Sequence, residues 1–195
     1  MSEGKQLWLL AGGNGAGKST FYRTQLEPLG VPFVNADVLA KKLYPDQPEE
    51  HSYEAAKIAE KIRKKLLKEG RSFCYETVFS HPSKIDFIAQ AKAMGYEIIL
   101  VFVHLDNASL NQARVSQRVS EGGHHVPDDK VISRIPRVLQ NIEKTLPLCT
   151  HCYLLDNSRL DSPFNQVAQI SSNKLILKAG LLPQWAENLL AEYID

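Results

Sequence analysis

The clearest indication of the fold of this chain is WLLAGGNGAGKSTFYRTQL, residues 8–26. Its centre matches the pattern G-x-x-x-x-G-K-[ST], with an apolar, strand-like run before it and a helical run after it. The glycines let the loop turn its backbone N–H groups onto the phosphates of a nucleotide, and the free amides of the following helix extend this anion site. A glycine-rich turn with an accidental lysine is disfavoured, because strand, loop and helix occur in the required order. The stretch predicts a P-loop that binds a nucleoside triphosphate.

The residues of the predicted P-loop have separate roles. Lys18 is expected to reach the β- and γ-phosphates, and the Ser19 hydroxyl is expected to bind Mg²⁺. The other predicted nucleotide-binding residues belong to the loop and to the first helical turn: Gly12, Gly13, Asn14, Gly15, Ala16, Gly17 and Thr20.

The composition is typical of a soluble globular protein. Of the 195 residues, 44% are hydrophobic and 23% are charged, which suffices for one domain with a substantial core. The net charge of +1 argues against a nucleic-acid or membrane partner. The sequence has no apolar run of membrane-spanning length, and its opening residues MSEGKQ do not resemble a signal peptide. We therefore expect a cytoplasmic protein in which residues 1–195 form a single domain.

The three cysteines fit a reducing compartment. Cys149 and Cys152 have the spacing of half a zinc site, but no second pair of ligands completes it. Cys74 and Cys152 lie in apolar, strand-like runs, where cysteine usually acts as a small core residue. Buried thiols are the preferred interpretation.

Strand and helix patterns alternate along the chain, which predicts an α/β fold. With the P-loop, they predict a P-loop NTPase three-layer sandwich, kinase-like, with a central, mainly parallel sheet and a helical lid. The predicted strands cover residues 6–11, 31–36, 72–78, 97–105 and 151–156. The predicted helices cover residues 18–27, 37–43, 51–69, 83–94, 107–121, 128–145 and 182–193. A sixth strand or an edge hairpin is predicted at 173–180, within a C-terminal strand and helix region at 166–195.

Two carboxylates stand at the ends of predicted strands. Asp37 ends the segment VPFVNAD, 19 residues after Lys18, and Glu76 precedes Thr77 at the end of FCYET. The carboxyl ends of parallel strands face one crevice, so both acids are expected beside the P-loop. Asp37 is predicted to accept the proton of a substrate hydroxyl, and a helix cap is a compatible role for it. Glu76 and Thr77 are predicted to contact the substrate, although a solvated acid is the alternative interpretation of Glu76.

Arginines flank a glycine loop in the predicted lid, residues 107–145. Arg114 and Arg118 are four residues apart and project from one face of a helix, and Arg134 lies on the next helix. The segment EGGHH, residues 121–125, provides a hinge, and its two histidines are expected to serve the hinge or a phosphate rather than zinc. The lid is predicted to bring Arg118 and Arg134 onto the transferred phosphoryl group and Arg114 onto the nucleotide. Surface arginines on an exposed hairpin are the alternative.

Five segments, in this order and at these distances, resemble the short members of the zeta toxin family: AGGNGAGKST, NAD, ETVFS, RVSEGGHHVPDDKVISR and LLDNS. The resemblance covers about residues 6–158. It implies a P-loop kinase fold. It also implies phosphorylation of the 3′-hydroxyl of UDP-N-acetylglucosamine, with ATP (or GTP) and Mg²⁺, and an antitoxin protein as a partner.

The resemblance implies residue roles by position. Asp37 matches the general base, and Glu76 matches a carboxylate on the substrate side. Arg118 and Arg134 match arginines that stabilise the transferred phosphoryl group. Asn157, within LLDNS, would lie near the nucleotide base. The P-loop residues keep the roles described above.

Three functions remain open from the residues. The first is an ATP-dependent phosphotransferase that acts on a hydroxyl of a small-molecule acceptor. The second is a nucleotide-binding module that acts through protein contacts with slow or no hydrolysis. It is favoured by Ile135, which stands where short zeta toxins often carry a second lid arginine. The third is a nucleic-acid end kinase, which would need a basic channel that a net charge of +1 disfavours.

Overall fold

The computed structural model describes residues 4–120, 126–178 and 180–194, which form one seven-stranded sheet with helices around it. The strands are β1 Gln6–Ala11, β2 Phe33–Val34, β3 Phe73–Thr77, β4 Glu97–His104, β5 His151–Asp156, β6 Asn165–Ser171 and β7 Lys174–Leu177. The α-helices are α1 Lys18–Phe21, α2 Ala36–Leu43, α3 Ser52–Lys68, α4 Ser83–Ala93, α5 Ala108–Ser120, α6 Asp128–Thr145 and α7 Gln184–Leu189. A π-helical segment, Tyr22–Leu26, and a 3-10 turn, Glu27–Leu29, continue α1; further 3-10 turns cover Leu146–Leu148 and Ala191–Tyr193.

The strand order in the sheet is β2-β3-β1-β4-β5-β6-β7. Strands β1 to β5 pair in parallel, and β6 and β7 form an antiparallel hairpin on the outer edge of β5. The predicted α/β fold with a mainly parallel central sheet is therefore confirmed. Because the parallel strands end at the same edge, the loops after β1, β2 and β3 meet there.

The C-terminal hairpin agrees with the sequence only in part. Of the two forms predicted at 173–180, a sixth strand or an edge hairpin, the structure has a single strand, β7; its hairpin partner, β6, was not assigned from the sequence. Polar residues occupy four of the seven positions of β6 and obscure the pattern, although Val167, Ala168 and Ile170 are buried. Pairing with β5, a tertiary contact, is what makes this segment a strand.

The two faces of the sheet bury different side chains. Leu7 and Leu9 of β1 point into a large core that α3, α4, α6 and α7 cover. Leu10 belongs to a second cluster on the other face, where Tyr22 and Leu26 of the segment after α1 pack. This alternation places helices on both faces and accounts for the three predicted layers.

His104, the last residue of β4, is buried among aromatic rings. Its ring centroid lies 4.8 Å from that of Trp185 and 5.4 Å from that of Phe102. Burial lowers the pKa of His104 to about 4, and the charge of the Asp156 carboxylate acts in the opposite direction. The folded protein therefore holds this imidazole neutral at pH values where an unfolded chain would protonate it.

Stability is expected to fall as the pH drops from about 6.5 to 4. A histidine whose pKa is lowered in the folded state contributes fully above its unfolded pKa of about 6.5, and this contribution disappears towards the folded value. The difference corresponds to about 3 kcal/mol between pH 7 and pH 4. Urea unfolding at both pH values measures it, with His104→Phe as the control that cannot titrate. An identical loss of stability in wild type and variant would contradict the prediction.

The cysteines lie largely inside the core. Cys74 and Cys152 are buried and Cys149 is half-buried, as predicted for Cys74 and Cys152. Burial raises the pKa of the Cys74 thiol, so it is unreactive at neutral pH.

Among residues 4–120, 126–178 and 180–194, none of the helices combines the length and the apolar character that a membrane span requires.

Candidate active site

The P-loop joins β1 to α1, and its backbone packs closely against the ends of β4 and β5. Gly12 has a φ of 151°, and a Cβ atom there would lie 2.1 Å from the carbonyl oxygen of Val103. Gly17 has a φ of 102°, and a Cβ atom there would lie 2.5 Å from Nδ2 of Asn157. Backbone conformation and packing together require glycine at both positions.

Gly12→Ala is expected to destabilise the protein by at least about 2 kcal/mol, because the new methyl group would overlap a backbone oxygen. Gly30→Ala is the matched control. Gly30 also has a positive φ, 72°, but has open space around it, so its substitution should cost only about 1 kcal/mol. Urea unfolding of both variants measures the difference. Equal destabilisation by the two changes would show that the overlap with Val103 is not the cause.

Lys18 extends back over the loop that precedes it. Its Nζ donates a hydrogen bond to the carbonyl oxygen of Gly13 at 2.9 Å and lies 4.0 Å from Oε1 of Glu76. Burial lowers the pKa of Lys18, and the charges of Glu76 and Asp37 partly oppose this shift. The positive charge of Arg118 lowers the same pKa. The charges of Glu76, Asp37 and Arg118 therefore all act on Lys18.

The end of β3 brings Glu76 directly to the P-loop helix. The Ser19 hydroxyl donates a hydrogen bond to Oε2 of Glu76 at 2.9 Å. A hydroxyl and a carboxylate are oxygen ligands of the kind that Mg²⁺ prefers, so this pair fits the predicted metal site. Thr77 also lines the cleft, and its Oγ1 accepts a hydrogen bond from the N–H of Phe79 at 3.1 Å.

Asp37 lies in the first turn of α2 and lines the cleft. The cap of this helix is a different residue, since Oδ1 of Asn35 accepts a hydrogen bond from the N–H of Val38 at 3.0 Å. The prediction that Asp37 caps the helix is therefore wrong. Because Asn35 takes that role, the exposed Asp37 carboxylate is available to the cleft.

The predicted lid helices both reach the nucleotide-binding region. Nη2 of Arg114 donates to the carbonyl oxygen of Asn157 at 2.9 Å, and Nη1 of Arg134 donates to Oδ1 of Asn14 at 3.3 Å. Arg118 lines the same cleft. A small apolar cluster, Val115, Val126 and Val131, packs α5 against α6. The predicted hinge Gly122–Gly123 and the two histidines, His124 and His125, lie outside the described residues.

Asn157 supports the P-loop from the end of β5. Its Nδ2 donates to the carbonyl oxygen of Ala16 at 2.9 Å, and its Oδ1 accepts a hydrogen bond from the N–H of Phe164 at 3.1 Å. The side chain is 6% exposed and both ends of its amide are bonded to backbone. Its observed role is therefore to hold the loop, at a position that also borders the cleft.

Two buried polar residues of the site carry no sequence motif. Nδ2 of Asn111 donates to the carbonyl oxygen of Asn14 at 2.6 Å and so fixes the P-loop from α5. Arg63 of α3 is 7% exposed and lies with its guanidinium carbon 4.1 Å from the ring centroid of Tyr75. Helical spacing does not indicate that either residue is buried, because Arg63 occurs within a run of lysines and Asn111 within a polar helix.

One cleft of about 1300 Å³ connects these groups. The P-loop, α5 and α6 contribute the side chains predicted to bind nucleotide, metal or the transferred group: Asn14, Lys18, Ser19, Arg114, Arg118 and Arg134. The helices α2, α3 and α4 and strand β3 contribute a second group: Asp37, Lys41, Lys57, Arg63, Tyr75 and Lys84. Of the predicted loop residues, Gly12, Gly13 and Ala16 do not line the cleft, and their contribution is to the loop backbone.

Solved structures share this fold. A chain of the AvrRxo1-ORF1:AvrRxo1-ORF2 complex with sulphate ions superposes with a TM-score of 0.73 at 18% identity, over 100% of this chain and 65% of that chain. The same complex with ATP gives 0.72 at 19% identity, over 100% and 64%. The present chain thus spans under two thirds of the length of those proteins. The PezAT toxin–antitoxin system of Streptococcus pneumoniae gives 0.64 at 16% identity, over 98% and 84%.

Sequence comparison identifies the family. An uncharacterised protein of Haemophilus influenzae (strain ATCC 51907 / DSM 11121 / KW20 / Rd) is 27% identical over 134 residues, 65% of this chain and 95% of that protein. The family model described as AAA domain matches residues 7–142, which is more than half of the chain and includes the P-loop, Asp37, Glu76 and α5. The chain therefore belongs to the AAA domain family.

Proposed function

We propose that this protein is an ATP-dependent phosphotransferase that transfers the γ-phosphoryl group to a hydroxyl of a small molecule. The observation that carries the proposal is the single cleft lined by Lys18, Asp37, Glu76, Arg118 and Arg134. Its volume of about 1300 Å³ exceeds the roughly 300–1000 Å³ of ordinary small-molecule sites, which leaves room for a nucleotide and an acceptor together.

The proposed reaction assigns each group a step. The P-loop amides and Lys18 hold the β- and γ-phosphates, and the acceptor oxygen attacks the γ-phosphorus. The bond from that phosphorus to the bridging oxygen breaks, so ADP leaves, while the acceptor proton passes to the Asp37 carboxylate. Arg118 and Arg134 compensate the charge on the transferred group, as lid arginines on α5 and α6.

Mg²⁺ is proposed to bind at Ser19, with Glu76 as the neighbouring carboxylate. The hydrogen bond of 2.9 Å between the two side chains supports this pairing, because it brings two oxygen ligands together beside the P-loop. When bound, the ion would supply positive charge to the β- and γ-phosphates. In this proposal Glu76 has two roles: it lies beside the Mg²⁺ at the phosphates, and it contacts the acceptor.

The proposed first acceptor to test is UDP-N-acetylglucosamine, at its 3′-hydroxyl. The sequence resemblance to short zeta toxins supports it, and so does the fold shared with the PezAT structure. The presence of ATP in one AvrRxo1-ORF1:ORF2 structure supports ATP as the donor. The association of both similar structures with partner proteins supports an antitoxin partner for this chain.

Incubation with Mg-ATP and a pool of nucleotide sugars, sugars and nucleosides tests the proposal. Mass spectrometry is expected to find one acceptor that gains a single phosphoryl group, and Asp37→Asn is expected to abolish the product. A phosphorylated acceptor other than UDP-N-acetylglucosamine would keep the phosphotransferase and replace the substrate. Nucleotide binding without any phosphorylated product would overturn the proposal and favour the nucleotide-binding module.

A further inference from the structure

One wall of the cleft is formed by α3 and α4, away from the predicted phosphate-binding residues, and three of the five residues described below are cations. Tyr53, Lys57, Glu60 and Arg63 of α3 line the cleft and are spaced so that one face of the helix presents them all. Lys84 of α4 completes this wall. The proposed reaction gives none of these five residues a role.

Arg63 is the central residue of the wall. Its guanidinium lies over the ring of Tyr75 and 5.6 Å from the ring centroid of Phe87, and Nζ of Lys84 lies 5.9 Å from the Tyr75 ring. The aromatic faces stabilise the positive charge of Arg63. They do not provide the oxygen acceptors that its five N–H groups could use, which an oxyanion would provide. A guanidinium held 7% exposed in this way is positioned before any ligand arrives.

Among the described residues, no carboxylate lies within ion-pair distance of Arg63, although Glu60 is near enough for the Arg63 charge to contribute to its lowered pKa. The Nε of Arg63 is enclosed and has no hydrogen-bond acceptor, and no ion pair to its guanidinium occurs within 4–120, 126–178 and 180–194. The carboxylate one turn earlier, Glu60, lies 2.6 Å from Nζ of Lys64, and this contact lowers the pKa of Glu60. An enclosed Nε–H without an acceptor costs free energy, and the guanidinium to which it belongs lines the cleft, where a ligand can supply acceptors.

We propose that Arg63, with Lys84, binds an oxyanion carried by the acceptor, a phosphate or a carboxylate group separate from the hydroxyl that is phosphorylated. This inference rests on the proposed function and narrows it, because it restricts the acceptor to anionic hydroxyl compounds. The planar fork of Arg63 binds two oxygens of the group, and Lys84 adds a second charge. The acceptor hydroxyl then faces Asp37 on the adjoining helix α2.

The test is calorimetric titration of inorganic phosphate into protein whose P-loop is saturated with Mg-AMP-PNP. Acetate in a parallel titration distinguishes a carboxylate site from a phosphate site. Wild-type protein is expected to bind one of the two anions, and Arg63→Gln is expected to weaken that binding at least tenfold. Lys61→Gln, an exposed cation two residues away and outside the cleft, should keep the affinity within about twofold.

Thermal unfolding and AMP-PNP affinity check that the variants are folded. If Arg63→Gln does not fold, Lys84→Gln provides the test, with an expected weakening of at least threefold. Absence of anion binding in the AMP-PNP complex would overturn the subsite and leave the proposed function intact, as would equal affinity in wild type and the folded cleft variants. Failure of wild-type protein to bind AMP-PNP would overturn the proposed function and the subsite with it.

Discussion

Lys18→Met is expected to lower kcat/KM for phosphoryl transfer by at least about a hundredfold, because a fixed positive charge at the transferred group disappears. The Nζ of Lys18 is buried beside the P-loop and donates a hydrogen bond to the Gly13 carbonyl oxygen, so its charge is already positioned at the loop. Methionine retains most of the apolar stem and removes the charge together with the hydrogen bond to the Gly13 carbonyl oxygen. The loss should therefore appear in catalysis and phosphate binding, not in the stability of the sheet.

The measurement is a steady-state assay with the acceptor found by mass spectrometry, together with the affinity for a fluorescent ATP analogue. Lys61→Met is the matched control, because Lys61 is exposed on α3 and does not line the cleft. The control should keep full activity. A Lys18→Met protein that retained more than a tenth of wild-type kcat/KM would show that Lys18 does not contact the reacting phosphates.

Asp37→Asn is expected to lower kcat about 10²- to 10⁴-fold, since an amide cannot accept the proton of the acceptor hydroxyl. The substitution keeps the size of the side chain, and the cap of α2 is made by Asn35, so the helix should be unaffected. ATP affinity should stay within about twofold. This separation of turnover from binding distinguishes a general base from a residue that merely holds the nucleotide.

Single-turnover kinetics and ATP titration measure the two effects. Asp46→Asn, a change of an exposed acid outside the cleft, controls for the loss of one negative charge. An Asp37→Asn enzyme with undiminished transfer would exclude Asp37 as the base. A fall in ATP affinity that accounts for the whole loss of activity would assign Asp37 to nucleotide binding instead.

Sequence alone predicted the parts of this protein that depend on neighbouring residues. The P-loop was predictable because Gly12, Gly17 and the flanking strand and helix lie within a few residues of each other. The parallel direction of β1 to β5 was predictable from the alternation of strand and helix patterns, whereas the order of the strands in the sheet was not predicted. The glycine hinge, residues 121–125, lies outside the described residues and stays a prediction.

The cap of α2 and the burial of Arg63 could not be predicted from the sequence. The cap of α2 was assigned to Asp37 because the helix was predicted to begin at residue 37, whereas it begins at Ala36 and is capped by Asn35. From the sequence, Arg63 cannot be distinguished from the other cations of a lysine-rich surface helix. Its burial depends on Tyr75, which follows it by twelve positions and belongs to another element.

Asn157 has a consequence for where this protein can be divided. The family match ends at residue 142, yet the residue that bonds the P-loop at Ala16 and accepts from Arg114 comes later, after β5. A fragment trimmed to the matched boundary would lose that support. It would also leave β4, buried along nearly all of its length, as an unpaired sheet edge open to intermolecular pairing. The segment matched by the family model is thus shorter than the part of the chain that holds the P-loop in place.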